Sequence, residues 1–161
     1  GRGSRVGDLM RSRKAAMVAP FERRHVLRPN WRELVSRAAK VPRRLLDVGS
    51  GAGLPGIPLA LANPDMQVTL LDSNHKKVAF LNQAVMELKI KNAEVCGERV
   101  ESWKSQEGFD VVISRAFSDM SEFVHMTRHL LAPGGMFAAM KGMHPYEEID
   151  KLPPDCIVQQ R

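Results

Sequence analysis

Cysteine is scarce in this chain: Cys96 and Cys156 are the only two in 161 residues. Each falls in a predicted strand without a partner at metal-ligand spacing, which argues against a disulfide framework and against a zinc site. A reducing, cytoplasmic setting is the expectation. Long apolar runs are also missing. No stretch approaches the roughly 18 residues that a membrane-spanning helix needs, and residues 14–20 are too short and too weakly apolar to serve as a secretory leader. The chain is therefore read as soluble, without export signal or membrane partner. Aromatic residues reach only 6%, but 43% hydrophobic and 26% charged residues are ordinary for a globular protein. The length suits one domain with a real core and leaves no room for a second catalytic one.

Acidic residues are nearly absent from the first quarter. Residues 1–44 hold 13 Lys/Arg against 3 Asp/Glu, whereas residues 45–161 hold 11 against 15. All the positive excess thus lies ahead of the α/β pattern described next. Such a block favours polyanions, because each phosphate it neutralises releases condensed counterions. RNA is the natural candidate, and a solvated basic arm without a specific partner is the plain alternative. Residues 1–44 are accordingly read as a basic N-terminal arm with one short helix, around residues 31–39, and residues 45–161 as the folded domain.

From residue 45 onward short β-rich runs alternate with helical patterns, the signature of βαβ units and a mainly parallel sheet. Strands are predicted over residues 45–49, 67–71, 93–96, 109–114 and 136–140, with 156–158 beginning a sixth. Pro55 suits the first turn of a short helix ending before Asn63. Residues 74–88 place Val78, Leu81, Val85 and Leu88 on one helical face, with Ser73 as the expected N-cap. Further helices are predicted over residues 121–131 and near 145–151, the first ending ahead of a Pro133-Gly134-Gly135 turn.

The strongest local signal is Asp47-Val48-Gly49-Ser50-Gly51-Ala52-Gly53, lying between the first of these strands and its helix. Glycines there let the backbone turn, or approach a ligand, where a Cβ would collide. At the carboxyl end of parallel strands they shape a nucleotide-sized crevice. Asp72 follows 23 residues after Gly49, at the end of the next strand, and suits a carboxylate that accepts hydrogen bonds from two ribose hydroxyls. Together these imply an adenosine-containing cofactor. Gly51-Ala52-Gly53-Leu54-Pro55-Gly56 also satisfies the dinucleotide G-x-G-x-x-G pattern. That match starts two residues late and leaves Asp47 inside the strand, which counts against NAD. The acidic strand residue, the glycine loop, Asp72 and the Leu130-Leu131-Ala132-Pro133-Gly134-Gly135 turn resemble a Rossmann-like class I S-adenosylmethionine-dependent methyltransferase.

A narrower resemblance rests on the run from Leu46 to Leu59, LDVGSGAGLPGIPL. With Leu70-Leu71-Asp72-Ser73, Lys76-Lys77-Val78-Ala79-Phe80-Leu81, Arg99-Val100-Glu101, Ile113-Ser114-Arg115-Ala116-Phe117 and Lys141-Gly142, it resembles the glucose-inhibited division protein B family, the ribosomal RNA small subunit methyltransferases G. The resemblance covers roughly residues 45–152. It implies methyl transfer from S-adenosylmethionine to N7 of a guanine in 16S rRNA, with the small ribosomal subunit or its RNA as partner and a monomer as the working unit. Position by position it sets Asp47, Gly49 and Leu54 among the cofactor contacts, has Gly51 and Gly53 shape the turn, and brings Val100 and Glu101 to the adenine end. Arg115 would line both cofactor and acceptor, and Lys141 is expected to meet RNA phosphate or base. Members of that family finish the sheet with two strands, whereas this sequence reaches Arg161 within the first of them, so the last strand is expected to be lacking.

Guanine N7 carries an in-plane lone pair and no proton, so attack on a sulfonium methyl needs no general base. No catalytic acid or base is therefore expected; orientation is the main task. The Asp/Asn-Pro-Pro-Tyr element of amino-group methylation and the cysteine nucleophile of C5-pyrimidine methylation are both missing at Ser114-Arg115-Ala116-Phe117. Phe117 is read either as a stacking platform for a base or as an aromatic anchoring the loop. His125 and His129 have helical ligand spacing but no third ligand, so no metal is expected. The rival readings are a methyltransferase-like domain that binds RNA without turnover, a small-molecule methyltransferase, and an NAD oxidoreductase.

Overall fold

The computed structural model of the chain describes residues 15–20, 42–141 and 146–160. The expected helix at residues 31–39 lies outside them. Among the described residues seven strands form one sheet: β1 (Ala15–Pro20), β2 (Arg44–Val48), β3 (Gln67–Leu71), β4 (Ala93–Cys96), β5 (Phe109–Ser114), β6 (Leu131–Met140) and β7 (Cys156–Gln160), in spatial order β4-β3-β2-β5-β6-β1-β7. The run from β4 to β6 is parallel throughout, and β1 lies antiparallel to both β6 and β7. The helices are α1 (Gly56–Ala62), α2 (His75–Glu87), α3 (Met120–Thr127) and α4 (Tyr146–Ile149), with a 3₁₀ turn at Arg128–Leu130. Among the described residues no helix is long and apolar enough to cross a membrane.

Successive residues of β2 face opposite sides of the sheet and are buried on both, as a central parallel strand requires. Leu45 packs with Ile57 and Ala60 of α1 and Leu81 of α2, while Leu46 and Val48 pack with Met120, Phe123 and Val124 of α3. By the same alternation Asp47 points toward the α1 side, and so the one acidic residue of the strand meets the start of the helix that follows.

The expected strands at 67–71, 93–96 and 109–114 match β3, β4 and β5. Other boundaries differ for identifiable reasons. Helix α2 is capped by Asn74, whose side chain accepts from Lys76 N and Lys77 N at 3.0 and 3.2 Å, not by Ser73. Asp72 Oδ1 takes the Asn74 amide at 2.9 Å, so the chain is still turning at Ser73. The Pro133-Gly134-Gly135 element lies inside β6 as a bulge: Phe109 pairs with Leu131 and Val111 with Met136, with Gly134 at φ +76°. That bulge lets β6 begin at Leu131, which ends the preceding helix earlier than expected.

The largest correction concerns β1. As expected, one strand follows β6, but an unforeseen strand also joins the sheet. Residues 15–20, read as part of a basic arm, pair with Phe137 to Met140 on one side and with β7 on the other. A strand enclosed between two others is stabilised by pairing partners remote in sequence, which AAMVAP itself does not announce.

Candidate functional site

At the carboxyl ends of β2, β3 and β5 lies a cleft of about 170 Å³ lined by Val48, Gly49, Leu71, Asp72, Ser73, Glu98, Arg99, Val100, Glu101, Ala116 and Phe117. Its first wall is the β2–α1 loop. Gly49 N and Ser50 N both donate to Leu71 O, at 2.8 and 3.1 Å, and Gly53 N donates to Ser50 O at 2.8 Å. Such tight turning requires left-handed backbone, and Gly49, Gly51 and Gly53 have φ of +67°, +57° and +80°, a region that side chains disfavour.

Behind the loop stands Asp47, at 0% exposure. Its Oδ2 accepts from Ser50 Oγ at 2.8 Å and from Gly56 N, the first residue of α1, at 2.9 Å. Oδ1 is buried without a partner. Burial pushes the carboxyl up to about 6, against the pull of the Ser50 and Gly56 hydrogen bonds and the Arg115 charge. Asp47 was expected among the cofactor contacts; instead it is sealed off from the cleft and ties the loop to the helix.

Asp72 is placed where it can serve two purposes. It is 7% exposed and lines the cleft. Oδ2 accepts from Gly51 N and Oδ1 from Asn74 N, both at 2.9 Å. A carboxylate offers about four acceptor sites, so one lone pair on each oxygen is left for a ligand in the cleft.

The second wall is the β5–α3 loop. Ser114 Oγ donates to Val48 O at 2.7 Å and accepts from Ala116 N at 3.0 Å, stitching this loop to β2. Ala116 stands so close to the first wall that a Cβ on Gly49 would lie 2.5 Å from its own Cβ. Phe117 packs on Phe123 with ring centroids 5.3 Å apart, so it anchors the loop while also lining the cleft. Arg115 is exposed, one residue ahead of Ala116.

Of the expected site residues, the fold brings Gly49, Asp72, Val100 and Glu101 to the cleft, whereas Gly51, Gly53 and the half-buried Leu54 shape the turn beside it. Lys141 departs from expectation. Its side chain is 12% exposed and its Nζ lies 2.7 Å from Glu148 Oε2, while it also donates to Phe117 O at 3.1 Å and to Ser118 O. All three donors of the ammonium thus have protein acceptors. Glu98 lines the cleft without having been singled out, and Arg99 and Ala116, quoted only as parts of family motifs, line it too; their signal was adjacency to Val100 and Arg115.

The glycines test whether an adenosine-like group fits. A Cβ on Gly53 would strike Ile57 at 2.3 Å, as one on Gly49 would strike Ala116. On Gly51 it would meet nothing nearer than Gly49 O at 3.8 Å. Open space in front of Gly51, beside a carboxylate with unused lone pairs, suits a ligand that approaches the backbone closely.

The family model described as rRNA small subunit methyltransferase G (GidB) matches residues 18–161. The chain belongs to that family. It is similar to the ribosomal RNA small subunit methyltransferase G of Laribacter hongkongensis, 58% identical over 118 residues, which are 73% of this chain and 57% of that protein. The Chromobacterium violaceum protein of the same name is 56% identical over 117 residues, 73% of this chain and 56% of the relative. The chain thus spans about half the length of the curated relatives it matches. Among solved structures it resembles a SAM-dependent methyltransferase from Geobacter sulfurreducens in complex with S-adenosyl-L-homocysteine, with TM-score 0.54 and 17% identity, covering 71% of this chain and 50% of that one. A SAM-dependent methyltransferase from Aquifex aeolicus aligns with TM-score 0.52 and 21% identity over 66% of this chain and 61% of that one. The fold is the Rossmann-like class I methyltransferase fold.

Proposed function

We propose that the chain binds S-adenosylmethionine in the cleft between the two loops and methylates N7 of a guanine in 16S rRNA. The observation that carries this reading is the open face of Gly51 beside Asp72 at the carboxyl end of the sheet, in a member of a family named for methylation of small-subunit rRNA. Asp72 would accept from the ribose hydroxyls, Gly49 and Leu54 would border the methionine portion, and Val100 and Glu101 would flank the adenine. When bound, S-adenosylmethionine supplies an electrophilic methyl on a sulfonium centre. Arg115, exposed at the rim, would orient the acceptor through phosphate or the guanine O6 edge. N7 has no proton to lose, so the residues of the chain need only align the acceptor and exclude water, an effect that supplies several kcal/mol. The basic segment ahead of residue 45 would add affinity for small-subunit RNA, acting in the cytoplasm as a monomer.

Titration calorimetry with S-adenosylhomocysteine, followed by transfer of labelled methyl to deproteinised 16S rRNA and to small subunits, tests the proposal. Saturable binding and a single 7-methylguanosine by mass spectrometry are expected. No binding at millimolar ligand would sink the cofactor assignment. Binding and RNA association without any transfer would leave an RNA-binding domain lacking turnover.

A further inference from the structure

The second wall of the cleft is a loop, yet the Phe117 and Ser118 carbonyls and the first amides of the helix that follows are engaged. Lys141, just past β6, donates through Nζ to Phe117 O and Ser118 O. Glu148, on α4, accepts from that same Nζ at 2.7 Å and from Met120 N, the first residue of α3, at 2.9 Å. One carboxylate oxygen, Oε2, makes both contacts. Asp119 Oδ1 occupies the next two amides, Ser121 N at 2.7 Å and Glu122 N at 3.0 Å. The Met120 amide is one of the donors that the first turn of a helix leaves unpaired, and Met120 itself is fully buried, so water is a poor substitute for Glu148.

We infer that Glu148 is a positioning residue: through Lys141 and the Met120 amide it fixes the 115–119 loop at the distance from Gly49 at which the cleft accepts a ligand. Its consequence for binding rests on the cofactor reading proposed above. The physical argument is one of geometry and charge. Lys141 holds the loop by two carbonyls, but an ammonium 12% exposed beside neutral acceptors alone is poorly compensated. Glu148, at 26% exposure, supplies the negative charge that keeps Lys141 in place and so keeps Phe117 and Ser118 in place. The same oxygen locks the start of α3, so the loop is held at Phe117–Ser118 and again at Met120. Phe117, which lines the cleft, is thus held directly, and Ala116, which also lines it, immediately precedes it. A loop that occupies its competent position only part of the time weakens apparent affinity in proportion to that fraction.

The test uses the whole chain with Glu148→Ala, Glu148→Gln, Lys141→Met and the Glu148→Ala/Lys141→Met pair. Two quantities are read well below the melting temperature: the S-adenosylhomocysteine Kd by calorimetry, and amide hydrogen exchange at residues 116–120 without ligand. Glu148→Ala is expected to weaken binding about tenfold and to speed exchange at these amides, Met120 above all. Glu148→Gln keeps an acceptor for Met120 but loses the charge on Lys141, and should fall between wild type and alanine. Lys141→Met should loosen residues 116–118 while leaving Met120 its acceptor, and the pair should be little worse than Glu148→Ala alone, because both variants lose the same ion pair. A lower melting temperature with Kd and local exchange unchanged would mean a merely structural residue and would overturn the inference. If Glu148→Ala fails to fold, the glutamine variant decides on the same readouts. Should the wild-type chain bind no S-adenosylhomocysteine, the cofactor reading fails, and exchange at 116–120 alone judges Glu148: unchanged protection overturns its positioning role as well.

Discussion

The two walls of the cleft are built by different means. The wall from Val48 to Gly53 is held by main-chain hydrogen bonds to its neighbour β3 and by backbone angles open only to glycine. The wall at Arg115–Asp119 is held by side chains reaching in from elsewhere: Ser114 from its own strand, Lys141 from the end of β6, Glu148 from α4. A wall fixed by backbone geometry should fail abruptly when one atom is added. A wall fixed by side chains should loosen contact by contact.

The sharpest break comes at the point where the walls touch. Gly49→Ala would place a methyl 2.5 Å from the Ala116 Cβ while holding a non-glycine residue at φ +67°. Left-handed backbone costs about 1–2 kcal/mol and overpacking about 1–3 kcal/mol, so a destabilisation of roughly 4 kcal/mol is expected by urea denaturation. A loss below 1 kcal/mol would mean that the walls are free to part and that the contact does not set the width of the cleft.

Asp47 gives a pH-dependent way to probe the first wall. Its carboxyl titrates near 6 when folded, against 3.8 ordinarily, because burial opposes the charge. The native state therefore holds this proton more tightly than the unfolded chain does. Its contribution is most favourable below about pH 4, declines from pH 4 to 6, and is least favourable above pH 6, a swing of at most about 3 kcal/mol. Asp47→Asn keeps an oxygen for Gly56 N and removes the titration. Denaturant unfolding at several pH values should show the variant gaining on wild type across that window, with the difference levelling off above pH 6. A difference constant from pH 4 to 7 would contradict the buried-charge account.

The same contrast explains how far the sequence could be read. Gly49, Asp72, Val100 and Glu101 were legible because local features marked them: a glycine at each required turn, a carboxylate at a strand end, and a motif of three adjacent residues. Strands β3 to β5 were legible because short β-rich runs bounded by turns alternate there with helical patterns, as βαβ units require. The protein contacts of Lys141 were not legible because its acceptors, Phe117 and Ser118, lie more than 20 residues away and Glu148 carries no local signal. Asp47 looked like a contact because its place in the loop motif is visible and its burial is not. Strand β1 escaped because AAMVAP is weakly apolar and becomes a strand only between β6 and β7.

A milder loosening tests the second wall. Ser114 Oγ has two buried or half-buried partners, Val48 O and Ala116 N. Ser114→Ala leaves both unpaired and should cost about 2 kcal/mol, while faster exchange at Ala116 records the loosening. If the Ala116 amide stays as protected as in wild type, other contacts hold that end of the loop.

The smallest change in stability carries the most specific information about the ligand. Gly51→Ala imposes left-handed strain of about 1–2 kcal/mol, but its methyl would meet nothing closer than 3.8 Å. Gly134→Ala, at φ +76° with nothing within 4 Å, imposes the same kind of strain in the β6 bulge and touches no cleft residue. The two variants should therefore unfold at similar denaturant concentrations. They should separate in S-adenosylhomocysteine binding, with Gly134→Ala unaffected and Gly51→Ala weakened by about 100-fold or more, because its methyl fills the space against which the ligand would lie. Equal binding by both would place the ligand away from the glycine loop, since a methyl on the open face of Gly51 would then be invisible to it.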